Sequence, residues 1–212
     1  MEIEYFGANA IRFKVGNTSI GFDLSLPGKD KLVGNSKELR AVFYTDSSKV
    51  KGTLPEGVMA FEMAGEYEIG PFSVQGAMTK AYGEVYKTDN SNVFLVDPGE
   101  FGLIGVVGYA STELSEQAST LLANARVLVL PVGGMGLGLE PEEALKLAKN
   151  LNAEFVIPVH FDDGKTTYDS PQAKLEEFVK LTGGQPEEFE GKLNTKSLTA
   201  GVDGFKVVVI KP

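Results

Sequence analysis

Two hydrophobic rhythms divide the chain. Ile3 and Tyr5, then Ile11, Phe13 and Val15, alternate with polar or small residues, the period-two pattern of half-buried strands. Gly16-Asn17 marks a hairpin turn before a strand over Thr18 to Phe22. Pro27-Gly28 opens a polar loop reaching about Lys37, Ala41 to Tyr44 reads as a short buried strand, and Val58 to Phe61 as a further strand. A hairpin is expected with Tyr67–Ile69 and Phe72–Val74 as its arms and Gly70-Pro71 at its turn. Tyr82 to Asn90 is polar and reads as a loop. Val93 to Val96 and Leu103 to Val107 form a further strand pair, joined through Asp97-Pro98-Gly99.

From Ser111 the spacing turns helical. Leu114, Ala118, Leu121 and Leu122 predict a helix over Glu113 to Ala123, capped by Ser111 or Thr112. Val127 to Asp163 is the central unit. It holds a strand over Val127 to Leu130, the glycines Gly133, Gly134, Gly136 and Gly138, and a helix starting at Pro141. Glu142 and Glu143 complement the positive end of that helix, and Leu145, Leu147, Ala148 and Leu151 form its apolar stripe. Phe155 to Val159 is the next strand, and it delivers His160 to the carboxyl-terminal edge of the sheet, where α/β folds place their sites. A last helix is expected with Ser170 as cap, Pro171 in its first turn and Gly183 closing it, followed by a strand over Phe205 to Ile210. The pattern predicts one domain over residues 1–212, strand-rich in about 1–107 and helix/strand in about 108–212, with helices on the outer faces of two packed sheets.

Composition narrows the chemistry. The chain has no cysteine, which excludes disulfides and thiolate metal sites and fits a reducing cytoplasm. A formal net charge of -9 repels phosphate backbones, so no nucleic-acid partner is expected. Lys29, Lys31, Lys37 and Arg40 come closest to a basic patch and read as a solvated face. No apolar run approaches the roughly 20 residues of a membrane span, and the start lacks the pattern of a secretory signal, so a cytoplasmic protein is expected.

Few residues carry candidate chemistry. His160 is the one histidine, able to act as a general base or a ligand contact, although a histidine satisfied by hydrogen bonds is the commoner case. Ser48 and Lys51 match the loose Ser-x-x-Lys pattern of acyl-enzymes without its partner motifs. The loop Gly133 to Gly138 lies where phosphate cradles occur, but it lacks both established glycine signatures and reads as a tight crossover. Glu66, Glu68 and Asp97 read as solvated charges on hairpin and turn positions.

The order of IEYFGANAIRF, Asp23, GEYEIG, NVFLVD and VLVLPVGG through to VIPVHF resembles the metallo-β-lactamase-fold superfamily, in particular its branch of L-ascorbate-6-phosphate lactonase-like and related zinc-dependent hydrolases. The resemblance implies a four-layer αββα sandwich with a two-metal site of zinc, manganese or iron between the sheets. It also implies which positions would hold the ligands. Behind Thr45 the His-x-His-x-Asp-His positions carry Asp46, Ser48, Val50 and Lys51. The next ligand position carries Ala81, the bridging aspartate is replaced at Gly108-Tyr109, and a histidine common near the start of this branch is Ala8. Only the last position, His160, keeps its residue.

These departures lead to the expectation of a catalytically inactive member that holds no tightly bound metal cofactor. Its cleft would be lined by Asp46, Ser48, Lys51, Ala81, Tyr109, Gly133, Gly134 and His160. The expected partner is an unidentified small molecule or protein, with room for a homo-oligomer. The alternative is a hydrolase acting on a phosphoester, lactone or similar ester, through a metal or through His160 with Asp46, Ser48 or Tyr109.

Overall fold

Two sheets face each other, built mainly from the strands that the hydrophobic pattern marks. The computed structural model describes residues 1–26, 32–49, 54–83, 90–136, 138–168, 170–199 and 204–212. Lys29, Lys31, Val50 and Lys51 lie outside the described residues, as do Pro27-Gly28 and most of the polar stretch between Tyr82 and Asn90.

Among the described residues, the first sheet has six strands. β1 (Glu2–Tyr5), β2 (Ile11–Val15) and β3 (Thr18–Phe22) form an antiparallel meander, and β4 (Leu39–Phe43) and β5 (Met59–Phe61) join in parallel. The second sheet has eight strands among the described residues. β6 (Glu66–Ile69), β7 (Phe72–Lys80), β8 (Asn90–Asp97) and β9 (Ile104–Val106) run antiparallel. β10 (Val127–Pro131) and β11 (Phe155–Val159) continue in parallel from β9, and every residue of both is buried. Near-continuous burial is what strands covered on both faces require.

Between the sheets lies an aromatic core. Phe22 and Phe43 of the first sheet meet Phe94 of the second at ring-centroid distances of 5.6 and 5.4 Å, and all three are fully buried. Each such side chain contributes about 1.5–3 kcal/mol by leaving water. The outer face of the first sheet carries a separate apolar cluster of Ala8, Ala10, Leu24, Leu26, Leu39, Val42 and Tyr44. Among the described residues, Phe6, Leu32, Val33, Leu54, Val58 and Tyr168, all from loops, pack against it. Among the described residues, the helix over Glu116–Leu122 packs on β7 and β8, that over Pro141–Asn150 on β10, and that over Leu175–Thr182 against the second of these, and the whole is a mixed α/β two-sheet sandwich, in line with the resemblance.

Helix boundaries depart from the expected ones wherever a strand claims the capping residue. α1 (Glu116–Leu122) begins three residues later than expected and is capped by Ser115, not by Ser111 or Thr112. The Ser115 hydroxyl accepts from the Ala118 N–H and donates to the Met78 carbonyl of β7 at 2.8 Å, which fixes the helix start to the sheet. Ser111 instead accepts from the Glu113 N–H at 3.2 Å in a local turn. α2 (Pro141–Asn150) starts at Pro141 with Glu140 and Glu143 in a reciprocal capping box, and its buried stripe is Ala144, Leu147 and Ala148, with Leu145 only partly buried. α3 (Leu175–Thr182) starts five residues after Ser170, which does not cap it. The preceding backbone is drawn across the glycine loop: the Ala173 N–H donates to Gly133 O at 2.7 Å, and the Asp162 N–H to Ala173 O at 2.9 Å. Gly183 closes α3 in the left-handed conformation, as expected.

Two polar strands were not anticipated. β12 (Glu187–Glu190) lines up with β14 (Lys206–Lys211) at one edge of the eight-stranded sheet, and β13 (Lys192–Asn194) lines up with β1. Their charges pair across strands, Lys206 with Glu187 at 3.1 Å and Lys211 with Glu188 at 2.6 Å. Such charges also discourage further strands from adding to that edge.

Candidate functional site

His160 follows the end of β11 and adopts φ +52°, a left-handed conformation costly for a residue with a side chain. What holds it there is a hydrogen bond of 2.7 Å from its N–H to the Ala8 carbonyl, which also accepts from the Tyr5 hydroxyl at 3.1 Å. Ala8 is itself left-handed at φ +47°. The two strained residues therefore brace each other across the end of the sandwich. His160 is 4% exposed. Tyr109 meets its ring edge-on at 5.5 Å, and Tyr168 lies against it at 5.1 Å. Tyr168 is held by its hydroxyl, which donates to Phe161 O at 2.9 Å. Burial pushes the Tyr5 and Tyr168 hydroxyls above the usual phenol range, and the negative charge of Asp163 adds to it, so both remain protonated donors at neutral pH.

The glycine loop after β10 packs on the same residue. A methyl group at Gly133 would collide with the His160 carbonyl and lie 2.8 Å from Gln172 Oε1. Gly134 is left-handed, and the Glu140 carboxylate fills the space a side chain there would need. A carboxylate in that place repels anions. At Gly133 and Gly134 the backbone is a close-packed crossover, in line with the reading from the glycines, whereas Gly136 has no atom within 4 Å of a would-be methyl group.

From the first sheet come Thr45 and Asp46, just beyond β4. The Thr45 N–H and hydroxyl donate to the two carboxylate oxygens of Asp23 at 2.9 and 2.6 Å, and Asp23 sits at φ +45°. Thr45 O accepts from the Asn92 N–H at 2.7 Å and from the Ser91 hydroxyl at 2.9 Å, which joins the two sheets at this end. Gly108 packs directly against the Thr45 side chain. Asp46 is buried and accepts from the Ser48 N–H at 2.9 Å, whereas Ser48 is exposed on a 3-10 turn. Ala81 bridges Ala110, beside Tyr109, and the Tyr82 N–H donates to Tyr109 O at 2.8 Å.

Loops after β4, β7, β9, β10 and β11 thus supply Asp46, Ala81, Tyr109, Gly133, Gly134 and His160. Ring contact joins Tyr109 to His160 and backbone packing joins Gly133 to it. Ser48 stands apart at the surface, and Lys51 lies outside the described residues. Glu66, Glu68 and Asp97 are exposed, and Asp97 accepts from the Gly99 N–H at 2.8 Å in its turn.

Sequence reasoning missed four participants. Tyr168 is placed by a loop with no periodic signal. Asn9 and Gln172 are buried polar residues beside the His160 backbone, and polarity alone marks them as surface. The Asp23–Thr45 pair forms across 22 positions of sequence.

The fold family implies a metal centre, and its donor chemistry can be compared with these loops. A two-metal centre requires several imidazoles and carboxylates converging. Here the loop ends offer one of each, His160 and Asp46, alongside Ala81, Gly108 and Tyr109. Among the described residues, no three of His, Cys, Asp or Glu are grouped to hold an ion. The described donors do not fit a two-metal site.

Comparisons with known proteins bear on the family. No curated protein sequence matches significantly. Solved structures do match: a putative zinc-dependent hydrolase of the metallo-β-lactamase superfamily from Thermotoga maritima is 21% identical, with a TM-score of 0.70 over 99% of this chain and 97% of that one. The metallo-β-lactamase fold protein YhfI from Bacillus subtilis is 14% identical, with a TM-score of 0.61 over 99% and 95%. Igni18, a metallo hydrolase from Ignicoccus hospitalis, is 18% identical, with a TM-score of 0.56 over 86% and 91%. At these identities the likeness is one of fold. A family model described as the beta-lactamase superfamily domain matches residues 2–160, from β1 to the histidine itself. With two facing sheets and a site at the loop ends between them, the chain belongs to the metallo-β-lactamase superfamily.

Proposed function

We propose that this protein is a catalytically inactive member of the superfamily, a pseudo-hydrolase that keeps the cleft and uses it to bind a small molecule or a protein partner. The observation that carries this reading is the donor set. Among the described residues, the positions that would carry ligands offer one imidazole and one carboxylate, too few to hold two ions and ready a water for attack. The His160 ring is packed between Tyr109 and Tyr168, an arrangement that suits a wall of a binding site. Of the residues expected to line it, Asp46, Ala81, Tyr109, Gly133, Gly134 and His160 make up the proposed vestigial cleft, while Ser48 stands at the surface and Lys51 lies outside the described residues. The net charge of -9 supports a partner other than nucleic acid.

The contact between Tyr109 and His160 favours one second reading, an atypical hydrolase of phosphoesters or lactones with these two side chains at its centre. Elemental analysis of untagged protein, expressed with zinc, manganese and iron each offered, separates the readings. Substoichiometric metal in all three preparations is expected. About one tightly held ion per chain would overturn the inactive reading, as would ester turnover that disappears in His160→Ala.

A further inference from the structure

The sandwich ends differently at its two margins. On one side the outermost strands are β13 and β12, and their charges pair with neighbouring strands, Lys192 with Glu2 at 2.8 Å and Glu187 with Lys206 at 3.1 Å. On the other side they are β5 and β6, and β5, Met59-Ala60-Phe61, carries no charge at all. Met59 and Phe61 stand opposite Ala41 and Phe43 of β4, which belong to the core between the sheets, so both lie on the inner face. Phe61 stacks on Phe43 at 4.9 Å and meets Tyr67 of β6 at 4.4 Å, which forms an aromatic floor where the two sheets end. Met59 is nevertheless 47% exposed, and Met63, just beyond β5, is 72% exposed. An inner-face side chain left that open marks an apolar slot, and methionine adapts its shape to whatever packs on it. The backbone is open on the same side. The Tyr44 N–H donates to Phe61 O at 2.9 Å, so Phe61 turns its peptide groups toward β4. Ala60 therefore turns its N–H and C=O outward, where no strand follows among the described residues.

We propose that this margin binds an extended protein segment in which apolar and basic residues alternate, adding it as a strand beside β5. The charges select the occupant. Glu62, Glu66 and Glu68 are exposed here, and among the described residues none of them forms an ion pair. Glu62 comes next after the inward Phe61 and so falls on the outer face, and Glu66 and Glu68 likewise flank the inward Tyr67 on β6. A strand added at β5 sends alternate side chains into the slot beside Met59 and the others onto the face that carries Glu62. The first set is matched by apolar residues and the second by Lys or Arg. A second copy of the chain is the wrong occupant. Between residues 54 and 69 the charged residues are Glu56, Glu62, Glu66 and Glu68, so a symmetric pairing of two margins gathers negative charge with no cation to offset it. The inference goes beyond the reading of the cleft and does not depend on it, since β5 and β6 carry none of the cleft residues.

The test follows, by fluorescence anisotropy, the binding of labelled Lys-Val-Lys-Val-Lys-Val-Lys to the intact protein. Two control peptides accompany it: Glu-Val-Glu-Val-Glu-Val-Glu, and Lys-Lys-Val-Val-Val-Lys-Lys, which keeps the composition and loses the alternation. Saturable binding of the alternating basic peptide is expected, with both controls weaker by about tenfold or more. Hydrogen exchange at the outward Ala60 N–H is expected to slow in the complex. Glu62→Lys reverses an exposed charge and is expected to weaken binding about tenfold. Ala60→Pro removes the outward N–H, leaves the bonds to β4 in place, and is expected to weaken binding at least as much. Should the proline disturb the fold, Glu62→Lys carries the test. The proposal is overturned by equal binding of either control, by unchanged exchange at Ala60, or by affinity that survives both substitutions. Dimerisation in sedimentation that Ala60→Pro abolishes also overturns it, in favour of a second copy. Metal content measured on the same preparation reports separately on the inactive-enzyme reading, which stands or falls without reference to these titrations.

Discussion

Gly108 packs so closely against Thr45 that a methyl group at Gly108 would overlap the threonine side chain. The contact crosses from the loop after β9 to the loop after β4, and so ties the two sheets together at the site end. Gly108 is also left-handed, at φ +58°. Gly108→Ala therefore meets both backbone strain and overpacking, and should lower stability by about 2–4 kcal/mol. Urea unfolding followed by circular dichroism measures this, and a loss below about 1 kcal/mol would mean that the loop relaxes freely.

Thr45 also holds Asp23. Thr45→Val keeps the shape and removes the hydroxyl that donates at 2.6 Å to a buried carboxylate. A hydrogen bond to a charged group contributes about 1.5–3 kcal/mol, and a loss of that size is expected. Because Asp23 is braced at φ +45° by this pair, hydrogen exchange at Thr45 should quicken in the variant by more than the global loss accounts for.

Tyr82 gives the protein a basic-pH signature. Burial first, and then its hydrogen bond of 2.9 Å to Glu143, pushes the phenol up to about 12 from an ordinary value of 10.0. Below pH 10 the phenol is neutral in both folded and unfolded chains, and its contribution is complete. Between pH 10 and about 12 the unfolded chain gives up the proton that the folded chain keeps, so stability falls as pH rises. Denaturation midpoints measured across this window should fall more steeply for the native protein than for Tyr82→Phe. Parallel slopes would show that Tyr82 does not titrate differently on folding.

Asp163 works in the opposite direction. Burial alone would raise its carboxyl, but the Thr166 and Lys165 N–H groups and the Thr166 hydroxyl together hold it below the usual 3.8. Their bonds measure 2.6, 2.8 and 2.8 Å. The stability they supply is present above about pH 4 and is lost as pH falls through the depressed value. Asp163→Ala should cost about 1 kcal/mol at neutral pH, and the difference should vanish in acid. Thr166 also packs on Gly7, so the same substitution should loosen the loop that carries Tyr168 onto His160, visible as weaker ring-current shifts of the imidazole protons.

The helices show how far local signals reach. α2 was legible in its start and in most of its stripe, because Pro141 and the acidic first turn are local signals and the Glu140 N–H donates to the Glu143 carboxylate at 3.0 Å within that same turn. α1 was legible in its apolar stripe but not in its start, since Ser115 caps it only after Met78 and Thr79 of β7 have fixed that serine. For α3, Pro171 is a sound local start signal, yet Ala173 is bonded to Gly133, some forty positions earlier, and the helix waits until Leu175. β12 and β13 carry too little hydrophobic alternation to read as strands, and exist because β14 and β1 offer them edges.

By itself the sequence determined the two rhythms of the fold, the central strand–helix–strand unit, the position of His160 at the end of β11 and the shortage of imidazoles. All of these depend on residue type and on spacing within a few positions. Tertiary structure alone decided that Tyr109 and Tyr168 enclose that histidine, that Gly108 and Thr45 lock the sheets, and that Asn9 and Gln172 are buried. Most of those relationships join residues tens of positions apart, and even Tyr168, eight positions from His160, is placed by a loop without periodic signal: they follow from which loop ends the paired sheets bring together.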